Sequence, residues 1–200
     1  ETFDIYFNYF DNNNHEDIVL SYYNEGKQFP VRGRSCSSQQ IPTIKQKFKN
    51  YETFSEATLV DVYTEEKLEN SLHYQVKSFA SIYLENKGEK FEIHQLPVQA
   101  QLSSVNQILV EDFNNDGNLD FVIAGNLYES EIETPRNDAG FGYYFEGNGN
   151  GIFKPIPPTK SGFYTSGDVK DMAKIKIHNK EYIISVKNND FLQFIKVNKK

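Results

Sequence analysis

Apolar and polar residues alternate in short runs over most of the chain, and each run is bounded by Asn, Asp, Gly or Pro. Phe3, Ile5 and Phe7 set the pattern at the start. A period of two places successive side chains on opposite faces, which is the mark of strands. It predicts strands at residues 3–10, 17–23, 72–84, 91–96, 105–112, 120–126, 141–146, 152–156, 169–177, 181–187 and 191–197. Residues 33–71 break the period. Ser37 or Ser38 can cap a helix running through Pro42 and Ile44 to Phe48, Thr53 with Glu56 has capping-box spacing, and Thr64 is followed by the acids Glu65 and Glu66. Those are helix-start signals, so short helices are predicted there.

The strands repeat. The run 83–91, ending on Phe91, resembles 144–153, ending on Phe153, at a spacing of 62 residues. Both read as strand, Asn/Gly turn, strand and proline exit. Asp17-Ile18-Val19-Leu20 is echoed by Asp120-Phe121-Val122-Ile123 at a spacing of 103, and again by Glu181-Tyr182-Ile183-Ile184 after a further 61. Three units of about 60 residues account for these spacings if the first carries an insertion of about 40 residues near 32–71. The expected division is a first unit at 1–32 and 72–98, interrupted by the helical insertion 33–71, a second at 99–160, and a third, incomplete one at 161–200. Four short strands per unit is the pattern of a β-propeller blade. An ordinary β-sandwich with similar hairpins is the alternative.

Residues 110–123 carry the clearest chemistry. Asp112, Asn114, Asp116 and Asp120 fall at loop positions 1, 3, 5 and 9, with Gly117 at position 6. Calcium takes six to eight hard oxygen ligands in a tolerant geometry. Alternating positions in a tight loop aim their oxygens at one point, Gly117 permits the reversal, and the carbonyl of Asn118 can add a ligand. Three carboxylates converging here would repel one another without a cation. Zinc is disfavoured, because the loop holds no His or Cys. Magnesium stays open, although an all-protein oxygen cage favours calcium. An EF-hand needs Glu at position 12 and flanking helices, whereas Ile123 stands there and the flanks 107–110 and 121–124 are strand-like.

Asp-x-Asn-x-Asp-Gly-x-x-Asp followed by an apolar strand resembles the calcium loop of FG-GAP/VCBS repeats, the blades of integrin-α-type β-propellers. The longer run from Asp17 through Cys36 to Val169 is similar to the C-terminal part of large VCBS-repeat proteins of Bacteroidetes-type bacteria, often linked with ASPIC/UnbV domains. The resemblance implies a seven-bladed propeller, calcium sites and an extracytoplasmic setting (secreted, periplasmic or cell-surface). The other units depart from the pattern. In the first, Asp11, Asn13 and Asp17 match positions 3, 5 and 9, but Tyr9 and Asn14 replace the first acid and the glycine, so tight calcium binding is not expected there. The third has a short basic turn around His178 and Asn179.

Other candidate chemistry is weaker. His15, His73, His94 and His178 lack ligand spacing and read as isolated, mostly surface side chains. Cys36 lies near Arg32 and Arg34 but has no partner His. Residues 147–151, alternating Gly and Asn, lack the Lys-Ser/Thr and helix of a phosphate loop and read as a hairpin turn. Glu129, Glu131 and Glu133, or Asp168 with Asp171, are the carboxylates a glycosidase would need. Solvated loop charge is the simpler reading. Of Tyr22-Tyr23 and Tyr143-Tyr144, alternation turns one of each pair inward.

Composition narrows the rest. A net charge of −7 disfavours nucleic acid and anionic membranes. One cysteine excludes an intrachain disulfide without settling the compartment. No apolar run approaches the roughly 18 residues of a membrane span. The start at Glu1, inside a strand-like run, reads as a fragment or a processed product, with any signal peptide upstream. The expectation is an all-β, partial β-propeller of about three blades with a helical insertion. Calcium is its expected cofactor, and it has no expected catalytic residue. Its partners would be the remaining blades of a parent protein or a second copy, with a protein or glycan as ligand. Alternative roles are a carbohydrate-recognition module or a propeller-based glycoside hydrolase.

Overall fold

The computed structural model describes residues 1–131 and 134–198. The chain divides into two compact units, Glu1–Phe79 and Ala80–Lys200. Strands dominate and all pair antiparallel, in four separate sheets, so the expected all-β class holds with helices confined mainly to the insertion.

In the first unit, β1 (Phe3–Asn8), β2 (Asp17–Asn24), β3 (Lys27–Pro30) and β4 (Leu72–Val76) form a sheet in the order β3-β2-β1-β4. Strand β3 was not anticipated. It returns through Glu25 and Gly26, both at positive φ (50° and 76°), the two-residue hairpin that twisted strands favour. The expected strand 72–84 is two. Its first part ends where β1 runs out, at the pair Val76–Phe3.

Five short helices cover one face of this sheet: α1 (Arg34–Gln40), α2 (Thr43–Lys47), α3 (Tyr51–Ser55), α4 (Leu59–Tyr63) and α5 (Glu65–Glu69). Ile41, Ile44, Phe48, Phe54, Leu59, Val62 and Leu68 pack with Tyr6, Phe10 and Val19 of the strands and their first loop. The helix predicted to run through Pro42 is broken there, with Gly33 rather than a serine starting α1 and Pro42 starting α2. The working caps are Asn50, whose side chain accepts from Thr53 N–H, and Thr58 with Asp61, a reciprocal capping box. Helices of five to seven residues do not persist alone. Their packing onto the sheet holds them.

In the second unit, β5 (Ile82–Asn86) and β6 (Phe91–Gln95) pair only with each other. Strands β7 (Val105–Glu111), β8 (Asp120–Gly125), β9 (Tyr143–Gly147) and β10 (Phe153–Ile156) form a sheet in the order β10-β9-β8-β7. A one-turn helix α6 (Pro158–Ser161) leads to a three-stranded sheet of β11 (Val169–Ile177), β12 (Lys180–Lys187) and β13 (Gln193–Val197). Every residue of β8 is buried, so both faces of the sheet are covered at that strand. Val122 and Ala124 pack with Met172 and Ile183, while Phe121 and Ile123 on the opposite face pack with Tyr143 and Phe145. Tyr144 joins the first of these cores and Tyr143 the second, so both tyrosines of that pair are used in packing.

A candidate metal loop between two strands

Strand β7 ends at Glu111, opposite Asp120, and the intervening residues make the loop with the acid pattern. Asn115 and Gly117 take positive φ (60° and 89°), which turns the chain back sharply within the loop. The Asp112 carboxylate accepts the backbone N–H of Asp116 at 3.1 Å through Oδ1 and that of Gly117 at 2.9 Å through Oδ2. Asn114 Oδ1 accepts Asp116 N–H at 2.9 Å, and Asp116 Oδ1 accepts Asn118 N–H at 2.8 Å. Each polar side chain thus folds the chain two to five residues ahead, as Asx turns do. The Asn118 N–H, and after it the Asn114 and Asn118 side chains, hold Asp116 below the usual carboxylate range despite some desolvation.

Asp120 differs from the others. It is fully buried, and three donors converge on its carboxylate. Phe113 N–H and the Tyr144 hydroxyl reach Oδ2 at 3.1 and 2.7 Å, and Gly147 N–H reaches Oδ1 at 2.9 Å. Burial first, and then the bond to Asp120, push the Tyr144 phenol far above its ordinary value, so it remains a donor. The glycines of the β9–β10 turn press on this loop. A Cβ at Gly147 would lie 2.1 Å from the Leu119 carbonyl oxygen, and one at Gly149 would lie 2.5 Å from Asn118 Oδ1. The residues 147–151 form the hairpin turn expected of them, and they also buttress the candidate site, which their composition did not reveal.

Asp112, Asn114, Asp116, Asn118 and Asp120 therefore share one short loop, but their roles divide. Asp116 is exposed, Asp112, Asn114 and Asn118 are half-buried, and Asp120 turns into the sheet. The three carboxylates are not drawn within 4.8 Å of one another, a condition met among the described residues by Glu85, Glu92 and His94 on β5–β6. The donor set still suits a hard divalent cation, because every side chain offers oxygen. Among the described residues, no Lys, Arg or His forms an ion pair with Asp112, Asp116 or Asp120.

Residues 9–17, 103 positions earlier, have the same build. Asn12 and Asn14 take positive φ (60° and 62°) where Asn115 and Gly117 do. Phe10 N–H donates to Asp17 Oδ2 at 3.0 Å, Asn13 N–H to Asp11 Oδ1 at 3.2 Å, and His15 N–H to Asn13 Oδ1 at 2.7 Å, each matching a bond of the second loop. The two bonds made by Asp112 have no counterpart, because Tyr9 stands there and turns its hydroxyl to Glu16. This loop also has a cation of its own: Lys67 of α5 donates to the Phe10 carbonyl.

Of the remaining candidates, His15, His178 and Asp171 are exposed as expected, and others depart from expectation. Two histidines are not isolated. His73 Nε2 lies 2.7 Å from the buried Asp4 carboxylate and its ring stacks on Tyr6, and His94 Nε2 lies 3.2 Å from Glu85. Their partners sit across strands, where sequence spacing cannot show them. Lys87 and Lys90 neutralise Glu85 and Glu92 in that cluster. Asp168 is buried rather than solvated, with Lys170 Nζ 2.9 Å from Oδ1 in an ion pair lacking hydrogen-bond alignment. Asp171 caps Met172 N–H and binds Gln107. Glu129 accepts from Asn188, and Glu133 lies outside the described residues. Cys36 is half-buried within α1. No helix among the described residues is long and apolar enough to cross a membrane.

An open cavity of about 570 Å³ lies beside the second loop, walled by Ile82, Tyr83, Leu96, Ile108, Val110 and Leu119 among others. Compared with known proteins, the chain matches no family model, no curated protein and no solved structure.

Proposed function

We propose that this chain is a non-catalytic, calcium-stabilised β-repeat module, a partial β-propeller of the FG-GAP/VCBS kind serving as a structural or binding part of a larger exported bacterial protein. The observation that carries this reading is the pair of loops at 9–17 and 112–120, alike in φ pattern and backbone hydrogen bonds and each leading into the second strand of a four-stranded sheet. Duplicated strand–loop–strand units with one acid-rich loop are what such a repeat requires. Asp112, Asn114, Asp116 and Asp120, with the Asn118 carbonyl, are the groups that would hold the ion. Bound calcium would supply the positive charge to offset three carboxylates in one short loop. The chain itself supplies the turn, through Asn115 and Gly117, and the buttress, through Gly147 and Gly149.

The mostly apolar lining of the neighbouring cavity favours contact with protein over glycan, since Tyr83 and Asn118 are its polar side chains and sugar hydroxyls need a denser set of polar partners. Calorimetric titration tests the reading. One calcium ion per chain is expected, with Asp112→Ala abolishing it, because the first loop lacks the acid at its first position. Absence of any binding heat at millimolar calcium would falsify the proposal.

A further inference from the structure

The Asp120 carboxylate is the fully buried one among the acids of the second loop. Its Oδ2 receives both the Phe113 N–H and the Tyr144 hydroxyl, which uses the two lone pairs of that oxygen, while Oδ1 receives only Gly147 N–H. One acceptor direction remains, and it is on Oδ1. We infer that Tyr144 is the positioning residue of the metal loop: its hydroxyl holds the Asp120 carboxylate by Oδ2 and leaves Oδ1 as the oxygen that a cation would use. This inference rests on the calcium reading above.

The equivalent loop supports it. Asp17 occupies the same place and accepts the corresponding Phe10 N–H, but no tyrosine hydroxyl is bonded to it. The loop that lacks the first acid also lacks the clamp. Strand β9, which carries Tyr144, is held on both sides by β8 and β10, and the Tyr144 ring meets Phe113 edge-on at 6.1 Å. The hydroxyl is therefore delivered from one strand on to the acid that opens the neighbouring strand β8. Groups that orient metal ligands in this way commonly affect metal affinity by ten- to a hundredfold when removed.

Tyr144→Phe keeps the ring and removes only the donor. Tyr143→Phe is the control: Tyr143 is buried where Tyr144 is half-buried, and its hydroxyl donates to the Ala139 carbonyl at 3.2 Å, away from the loop. Calcium titration calorimetry on the full chain should show about a tenfold weaker Kd in Tyr144→Phe and an unchanged Kd in Tyr143→Phe. Melting of each variant in chelator measures the structural cost of losing either hydroxyl separately from metal binding. Wild-type affinity in Tyr144→Phe, or equal weakening in both variants, overturns the positioning role while leaving the calcium reading intact. No binding heat in the wild type overturns the calcium reading itself, and the role of Tyr144 with it.

Discussion

Phe113 donates its backbone N–H to the buried carboxylate of Asp120, seven residues ahead, and that one bond closes the loop between β7 and β8. Phe10 and Asp17 repeat it 103 residues earlier, with a donor–acceptor distance only 0.1 Å different. In both loops the closing acid is buried while the polar side chains before it are half-buried or exposed, so the acid has a structural duty independent of any ion.

Asp17→Ala isolates that duty, since its loop has no first acid. Phe10 N–H is buried and would lose its acceptor, which costs about 1–3 kcal/mol. Urea denaturation should show this loss equally with calcium and with chelator. A variant whose stability changes only in calcium would show that the first loop also binds the ion.

Gly147→Ala tests the buttress. The added Cβ would lie 2.1 Å from a backbone carbonyl oxygen rather than a yielding side chain. Overpacking of this kind costs about 1–3 kcal/mol. The melting temperature should fall in chelator and the calcium Kd should rise. A neutral substitution would mean that the β9–β10 turn moves freely away from the loop.

Asp4 introduces a pH dependence. Burial pushes its carboxyl upward, but hydrogen bonds from Gln75, His73 and Thr2 outweigh this and hold it below the ordinary carboxylate range. An acid depressed in the folded state stabilises fully above its unfolded value, about 3.9, and loses that contribution as pH falls through the folded one. Wild-type denaturation midpoints should therefore drop below about pH 4, and Asp4→Asn should flatten that part of the profile. An identical acid profile in the variant would assign the effect elsewhere.

Much of the strand pattern was legible in the chain because alternation survives wherever one face is packed. Loop 112–120 was legible for a different reason, namely that its acids follow a fixed spacing. Strand β3 was hidden by its length of four residues, and the gap between β4 and β5 by apolar residues that continue through it, including Phe79. The helix starts were partly misplaced, because Ser37 and Ser38 fall inside α1 while Asn50 and Thr58 do the capping. Contacts such as Asp4–His73, separated by 69 residues, depend on register and cannot be read from spacing. The same holds for Tyr144 on Asp120, the bond that changed the reading of the site most.

Thermal melting of the whole chain with calcium and with chelator tests the central claim most directly. Calcium at a hundred times its Kd adds about 2.7 kcal/mol to the native state, which for a chain of this size is a rise of about 5–10 °C. The wild type should show that rise, and Asp112→Ala should melt at the chelator temperature in both buffers. Superimposable wild-type curves in the two buffers contradict the account.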